Sequence, residues 1–138
     1  MFEDNQKKLC IIVNRNMDAS LLMNATGHLA GGIMQKAEDK IFQDYPNDDS
    51  GLNAYLSHYP VVILQAKNSN QLSTALEKCK DANLTYNFFT TTMHGHSTEQ
   101  QLHDIKVACF EALEFVAIAI YGETEILKPI TKKFSFYG

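Results

Sequence analysis

Two continuous apolar runs constrain this chain more than any other feature: Leu9-Cys10-Ile11-Ile12-Val13 and Phe115-Val116-Ala117-Ile118-Ala119-Ile120-Tyr121. Neither alternates apolar with polar residues, so neither suits a strand with one wet face. Each reads as a strand covered on both sides. Both fall far short of the ~20 apolar residues that a membrane-spanning helix needs. A sheet buried on two faces requires helices above and below it, and the intervening segments supply them.

After Asn14-Arg15-Asn16-Met17-Asp18 breaks the first run, Leu22, Ala25, Leu29 and Ile33 recur at helical intervals, with Asp18 or Ser20 as the cap. That helix also carries Gly27, Ala30, Gly31 and Gly32. Each glycine costs about 1 kcal/mol relative to alanine, and close approach of the helix backbone to the sheet is the expected compensation. Residues 38–57 have no clear period and include the turn-rich Tyr45-Pro46-Asn47-Asp48-Asp49-Ser50-Gly51, which reads as a long solvated loop. Residues 60–66 form the second strand, with Pro60 at its first position. Asn68 or Ser69 caps a helix with the stripe Leu72, Ala75, Leu76, Cys79. Residues 84–90 form a third strand, more mixed in polarity and so nearer a sheet edge. Ser97-Thr98-Glu99-Gln100 has capping-box spacing, and the helix after it is expected to bury Leu102, Ile105, Cys109 and Leu113. A short helical segment over 124–132 follows the last apolar run, and residues 134–137 can lie on the sheet. This alternation predicts a layered α/β domain with helices on both faces, and 138 residues suit a single domain spanning 1–138.

Twelve Lys plus Arg stand against sixteen Asp plus Glu, a formal net charge of −4. That balance argues against nucleic acid as a partner, because strong binding needs many basic side chains facing phosphates. Cys10, Cys79 and Cys109 cannot all pair, and none lies in a Cys-x-x-Cys arrangement. Each falls on an apolar stripe, as buried reduced thiols of a cytoplasmic protein do; metal or redox chemistry is the alternative. The stretch Met1-Phe2-Glu3-Asp4-Asn5-Gln6-Lys7-Lys8 is polar and acidic before its lysines, the wrong order for a signal peptide. No membrane association is expected.

Lys8-Leu9-Cys10-Ile11-Ile12-Val13-Asn14-Arg15, followed by a small-residue helix with Asn24-Ala25-Thr26-Gly27-His28-Leu29-Ala30, resembles the opening of the type 2 peptidyl-tRNA hydrolase fold. In particular it is similar to the uncharacterised bacterial branch of that superfamily, a domain of unknown function. The ending fits as well: an apolar strand into Tyr121-Gly122, a short helix, then Thr131-Lys132-Lys133-Phe134-Ser135-Phe136. The resemblance implies a three-layer α/β/α fold around a four-stranded mixed sheet in the order 2-1-4-3, with the two apolar strands as its central pair. The hydrolases carry Gly-Lys-Gly-Lys before their first helix. Here the corresponding stretch is Asp18-Ala19-Ser20-Leu21-Leu22-Met23, and no lysine occurs between Arg15 and Lys36. Their Asp-Ala-Gly-x-Thr loop is replaced by Thr90-Thr91-Thr92-Met93-His94-Gly95-His96-Ser97. The fold is therefore expected without that chemistry.

His94-Gly95-His96 is the most conspicuous polar cluster, and His103 could join it to hold a metal or support acid–base chemistry. An exposed turn, or an anion held by the free N–H groups near Ser97 to Glu99, are the competing readings. His28 reads either as a packed histidine or as a ligand-binding one. The end of the first strand and the start of its helix are where open α/β sheets bind ligands, so Asn14, Arg15, Asn24, Thr90 and Thr92, with His28 beside them and His94 at the rim, are the candidate small-molecule site. Nucleophile, phosphate-loop and dinucleotide motifs are absent, and no cofactor is expected. The leading expectation is a ligand-binding or interaction domain that forms a homodimer, using a sheet edge or exposed aromatics such as Phe136 and Tyr137. A hydrolase, acting through residual peptidyl-tRNA cleavage or His94 and His96, is the rival.

Overall fold

A computed structural model describes residues 5–138; Met1 to Asp4, part of the stretch weighed above against a signal peptide, lie outside the described residues. The first apolar run becomes β1 (Lys7–Asn14) and the second β6 (Phe115–Glu123), and the two pair antiparallel along most of their length. Between them lie α1 (Ala19–Lys36), β2 (Phe42–Pro46), β3 (Asn53–Ser57), β4 (Val61–Ala66), α2 (Ser69–Asp81), β5 (Thr85–Thr90) and α3 (Thr98–Val107). After β6 come α4 (Thr124–Thr131) and the two-residue β7 (Ser135–Phe136).

The main sheet has five strands in the order β5-β6-β1-β4-β7, and only the β1–β4 pairing is parallel. The four longer strands thus stand in the anticipated 2-1-4-3 order, but the sheet is not four-stranded. β7 adds a fifth by pairing Ser135 and Phe136 with Gln65 and Leu64. A two-residue strand is too short to leave a period in the sequence. Residues 38–57 also depart from expectation: they contain the β2–β3 hairpin, a separate two-stranded sheet whose main contacts are internal.

Alternation along β1 and β6 builds a core on each face. Leu9, Ile11 and Val13 meet Leu22, Ala25, Leu29 and Ile33 of α1, while Cys10 and Ile12 meet Leu72, Ala75, Leu76 and Cys79 of α2 with Leu127 and Ile130 of α4. On β6 the bulky Ile118 and Ile120 face α2, and the small Ala117 and Ala119 lie on the α1 side. Those alanines, rather than the helix glycines, give α1 room to settle. Gly27 and Gly31 are solvent-exposed, and a Cβ on either would meet nothing within 4 Å. Gly32 alone matches the close-approach expectation, since its Cβ would lie 2.8 Å from Asn87 Nδ2 on β5.

At its start α2 is capped by Asn68, one of the two residues anticipated, whose Oδ1 accepts from the Gln71 N–H; at its other end Asn83, left-handed at φ 61°, closes the helix with Leu84 N–H donating to Cys79 O. α3 is different. It ends at Val107, buries no residue and rests chiefly on the 3-10 turn Thr91–Met93 that precedes it. Leu102 is exposed, Ile105 and Leu113 are half-buried, and Cys109, beyond the helix, is exposed rather than buried. The sheet ends at β5, so no buried surface remains for an apolar stripe on the next helix.

Candidate functional site

The loose seating of α3 leaves an open cleft of about 410 Å³ between α1, the edge strand β5 and α3. Leu29 of α1, Phe89 of β5, Met93 of the 3-10 turn and Ile105 of α3 supply its apolar surface, and His28, Asn87 and Gln101 bring polar groups to it. The sequence dictates each placement. His28 stands next to Leu29 on α1, at the border between the helix's buried stripe and its exposed face. Its ring stacks on Phe89, with centroids 5.8 Å apart and planes 25° from parallel. Asn87 donates from Nδ2 to Leu29 O at 3.4 Å, and its Oδ1 accepts from Phe88 N–H, an edge-strand donor. The side chain therefore ties β5 to α1 and blunts the exposed strand edge.

The approach to α3 is fixed by local hydrogen bonds. Ser97 Oγ accepts from Gln100 N–H at 3.2 Å, but the reciprocal half of the capping box is not made, because Gln100 Nε2 donates to Asp104 Oδ1 at 2.8 Å. Gln101 donates to His96 O at 2.8 Å, tying the helix's first turn to the preceding loop. Gly95, at φ 82°, provides the left-handed step in that loop.

The other sequence candidates divide into two groups. Asn14, Thr90 and Thr92 gather at one end of the central strands. Asn14 is buried, donating to Phe115 O at 3.1 Å and accepting from Asn16 N–H at 3.0 Å; buried Thr90, opposite Phe115, shares a 2.7 Å hydrogen bond with Thr92. The Asn14 side chain thus joins β1 to β6, and the Thr90–Thr92 bond ties the end of β5 to the 3-10 turn after it. Arg15 is exposed beyond β1, and Asn24 is exposed on α1 one turn before His28. Of the candidates, His28 alone lines the cleft between α1 and α3. His94, His96 and His103 are all exposed, and among the described residues no three His, Cys, Asp or Glu side chains are grouped so as to hold a metal ion.

Burial raises the Cys10 thiol and pushes that of Cys79 up to about 12, so both are held as thiols near neutral pH. Asn87, Phe89, Met93 and Gln101 were not signalled as site residues. Their convergence depends on α3 folding back past the β5 edge, a tertiary event that no local spacing reports. Among the described residues, no helix is long and apolar enough to cross a membrane.

Residues 7–138 match a family described as "Protein of unknown function (DUF2000)". No curated protein matches the chain. Among solved structures, a protein of unknown function from Agrobacterium tumefaciens strain C58, Atu0240, is similar, with a TM-score of 0.85 at 17% identity over 98% of this chain and 100% of that one. That similarity shows a shared fold.

Proposed function

Since this chain belongs to the DUF2000 family, its activity must be read from its own geometry, and we propose that it is a small-ligand-binding domain whose ligand occupies the cleft between α1, β5 and α3. One observation carries the reading: a concave surface of about 410 Å³ in which an apolar floor meets a few convergent polar groups, His28, Asn87 and Gln101. Sites for small molecules are built this way, with apolar area for affinity and sparse polar groups for orientation. The Phe89 and His28 rings favour a flat, partly aromatic ligand. Asn87 and Gln101 suit a polar edge on that ligand, since beyond the bonds to Leu29 O, Phe88 N–H and His96 O each amide keeps a second N–H and an acceptor lone pair.

We also infer that the fold is a branch of the type 2 peptidyl-tRNA hydrolase-like superfamily. The 2-1-4-3 order of the four longer strands supports this. The alternative is a hydrolase acting through residual peptidyl-tRNA cleavage or through His94 and His96, and those two histidines stand exposed outside the cleft lining.

The test is a thermal-shift screen of aromatic and heteroaromatic compounds, with hits titrated calorimetrically against the wild type, His28→Ala and Gln101→Ala. A ligand at a hundred times its Kd stabilises the native state by about 2.7 kcal/mol, a shift of several degrees. Binding weakened tenfold or more in His28→Ala is the expected result. Hits that bind both variants as tightly as the wild type would place the ligand elsewhere and overturn the proposal.

A further inference from the structure

The β2–β3 hairpin has two unlike faces. Phe42 stacks on Tyr55 and Asn53 donates to Asp44 on one of them, so that face satisfies itself. Strand alternation puts Gln43, which is hydrogen-bonded to His58, on the other, together with four larger apolar side chains: Tyr45 and Leu56, with Ile41 and Leu52 in phase just outside the paired residues. All four are exposed, Leu52 at 73% and Leu56 at 53%. An isolated two-stranded hairpin is marginal in water, and an apolar face directed at solvent normally meets a partner surface.

A matching surface lies on the main body. α1 sits over β1, β6 and β5 but leaves the same face of β4 uncovered, and a groove of about 480 Å³ runs there, lined by Leu22, Met23, Ile63 and Tyr137. Met23 is 76% exposed. Val13 and Ala19 mark one end of the groove, and at that end the exposed cations Arg15 and Lys67, beyond β1 and β4, outnumber the exposed Asp18 that precedes α1. The hairpin carries the opposite sign, with Asp44 exposed on β2 and Asp48 and Asp49 exposed at its turn.

We propose that the hairpin is an arm that docks on a second copy of this chain, its apolar face on the partner's groove and its acidic turn toward the partner's Arg15 and Lys67. Size argues for reciprocal exchange. An arm of five-residue strands is about 17 Å long and only two strands wide. One such contact is small against the roughly 1,200–2,000 Å² that stable interfaces bury, and two arms exchanged about a two-fold axis double it. The surface is distinct from the α1–β5–α3 cleft, so this inference stands independently of ligand binding.

Sedimentation velocity across a concentration series tests it. The wild type is expected to sediment as a dimer that weakens with added salt, as opposed charges at an interface rim require. Leu56→Glu, on the arm, and Met23→Glu, on the groove, are each expected to weaken dimerisation at least tenfold, while Asn53→Ser, on the arm's other face, leaves it unchanged. Both Glu variants change exposed side chains, and circular dichroism checks that each remains folded. Mixing the two Glu variants is expected to give a pair that associates more tightly than either variant alone but more weakly than the wild type, because one arm and one groove are intact and the second contact is lost. A wild type still monomeric at about 100 micromolar, and so associating more weakly than that concentration requires, would overturn the proposal. So would a dimer broken by Leu56→Glu but untouched by Met23→Glu, since the arms would then be pairing with each other.

Discussion

On α2, Leu72, Ala75, Leu76 and Cys79 recur at helical spacing and all four are buried; on α3, Leu102 and Ile105 share such a stripe, yet Leu102 is 63% exposed and the helix buries nothing. α2 crosses the centre of the sheet, against Cys10 and Ile12 of β1 and Ile118 and Ile120 of β6. α3 comes after β5, where the sheet stops. An apolar period therefore reports which side of a helix can be buried, while the amount of sheet left for it decides whether it is. Here the shortfall has a consequence: the side chains that fail to find the core form one wall of the cleft.

The largest contrast is in stability. Leu72→Ala removes a fully buried side chain between α2 and the sheet and is expected to cost about 2–5 kcal/mol. Leu102→Ala should fall within about 0.5 kcal/mol of the wild type, as exposed substitutions do. Urea denaturation followed by circular dichroism measures both. Equal losses would mean that α3 is packed in solution and the cleft is closed.

The same division should appear in the thiols. Cys79 belongs to the α2 stripe and Cys109 lies just beyond α3. Near pH 8, a disulfide reagent such as Ellman's should modify exposed Cys109 at once and reach Cys10 and Cys79 only when the protein unfolds. Burial, with a smaller contribution from Cys10, raises Cys79 from 9.0 to about 12. The unfolded thiol then ionises before the folded one, so its stabilising contribution is complete below pH 9 and is lost as the pH rises toward 12. Denaturation midpoints should decline over that window and decline less in Cys79→Ala. Rapid modification of three thiols in the native state would show that the α2 side of the core opens readily.

How much could be read in advance follows the same boundary. The central strands, α1, α2 and their order along the chain were legible because Leu9 to Val13 and Phe115 to Tyr121 admit little besides burial on both faces, and because Asn68 and the α2 stripe act locally. The hairpin was not: Tyr45-Pro46-Asn47-Asp48-Asp49-Ser50-Gly51 marks a turn, but Gln43, Asp44, Asn53 and Ser57 interrupt the apolar pattern of the strands on either side. β7 escaped because two residues cannot show a period. Of the site, only His28 was anticipated among the cleft residues. Asn14 and Thr90 drew attention by chemistry and position, and the structure engages both in hydrogen bonds at the strand ends. Asn87 and Gln101 looked like ordinary polar residues until β5 and α3 came together.

The smallest test of the contrast uses the caps, which are nearly the same interaction in two settings. Asn68 Oδ1 accepts from Gln71 N–H at 3.0 Å and Ser97 Oγ from Gln100 N–H at 3.2 Å. Replacing such a cap by alanine costs the helix typically about 1 kcal/mol. For Asn68→Ala that cost should register in global unfolding, because α2 cannot fray without uncovering Leu72 and Leu76. α3 has no buried residue to hold it, so its first turn can open while the sheet stays intact, and Ser97→Ala should leave the global midpoint nearly unchanged. Its effect should instead appear as faster amide exchange at Gln100 and Gln101. If Ser97→Ala lowers global stability as much as Asn68→Ala does, α3 unfolds together with the core, and the cleft is bounded by a wall as firm as the sheet itself.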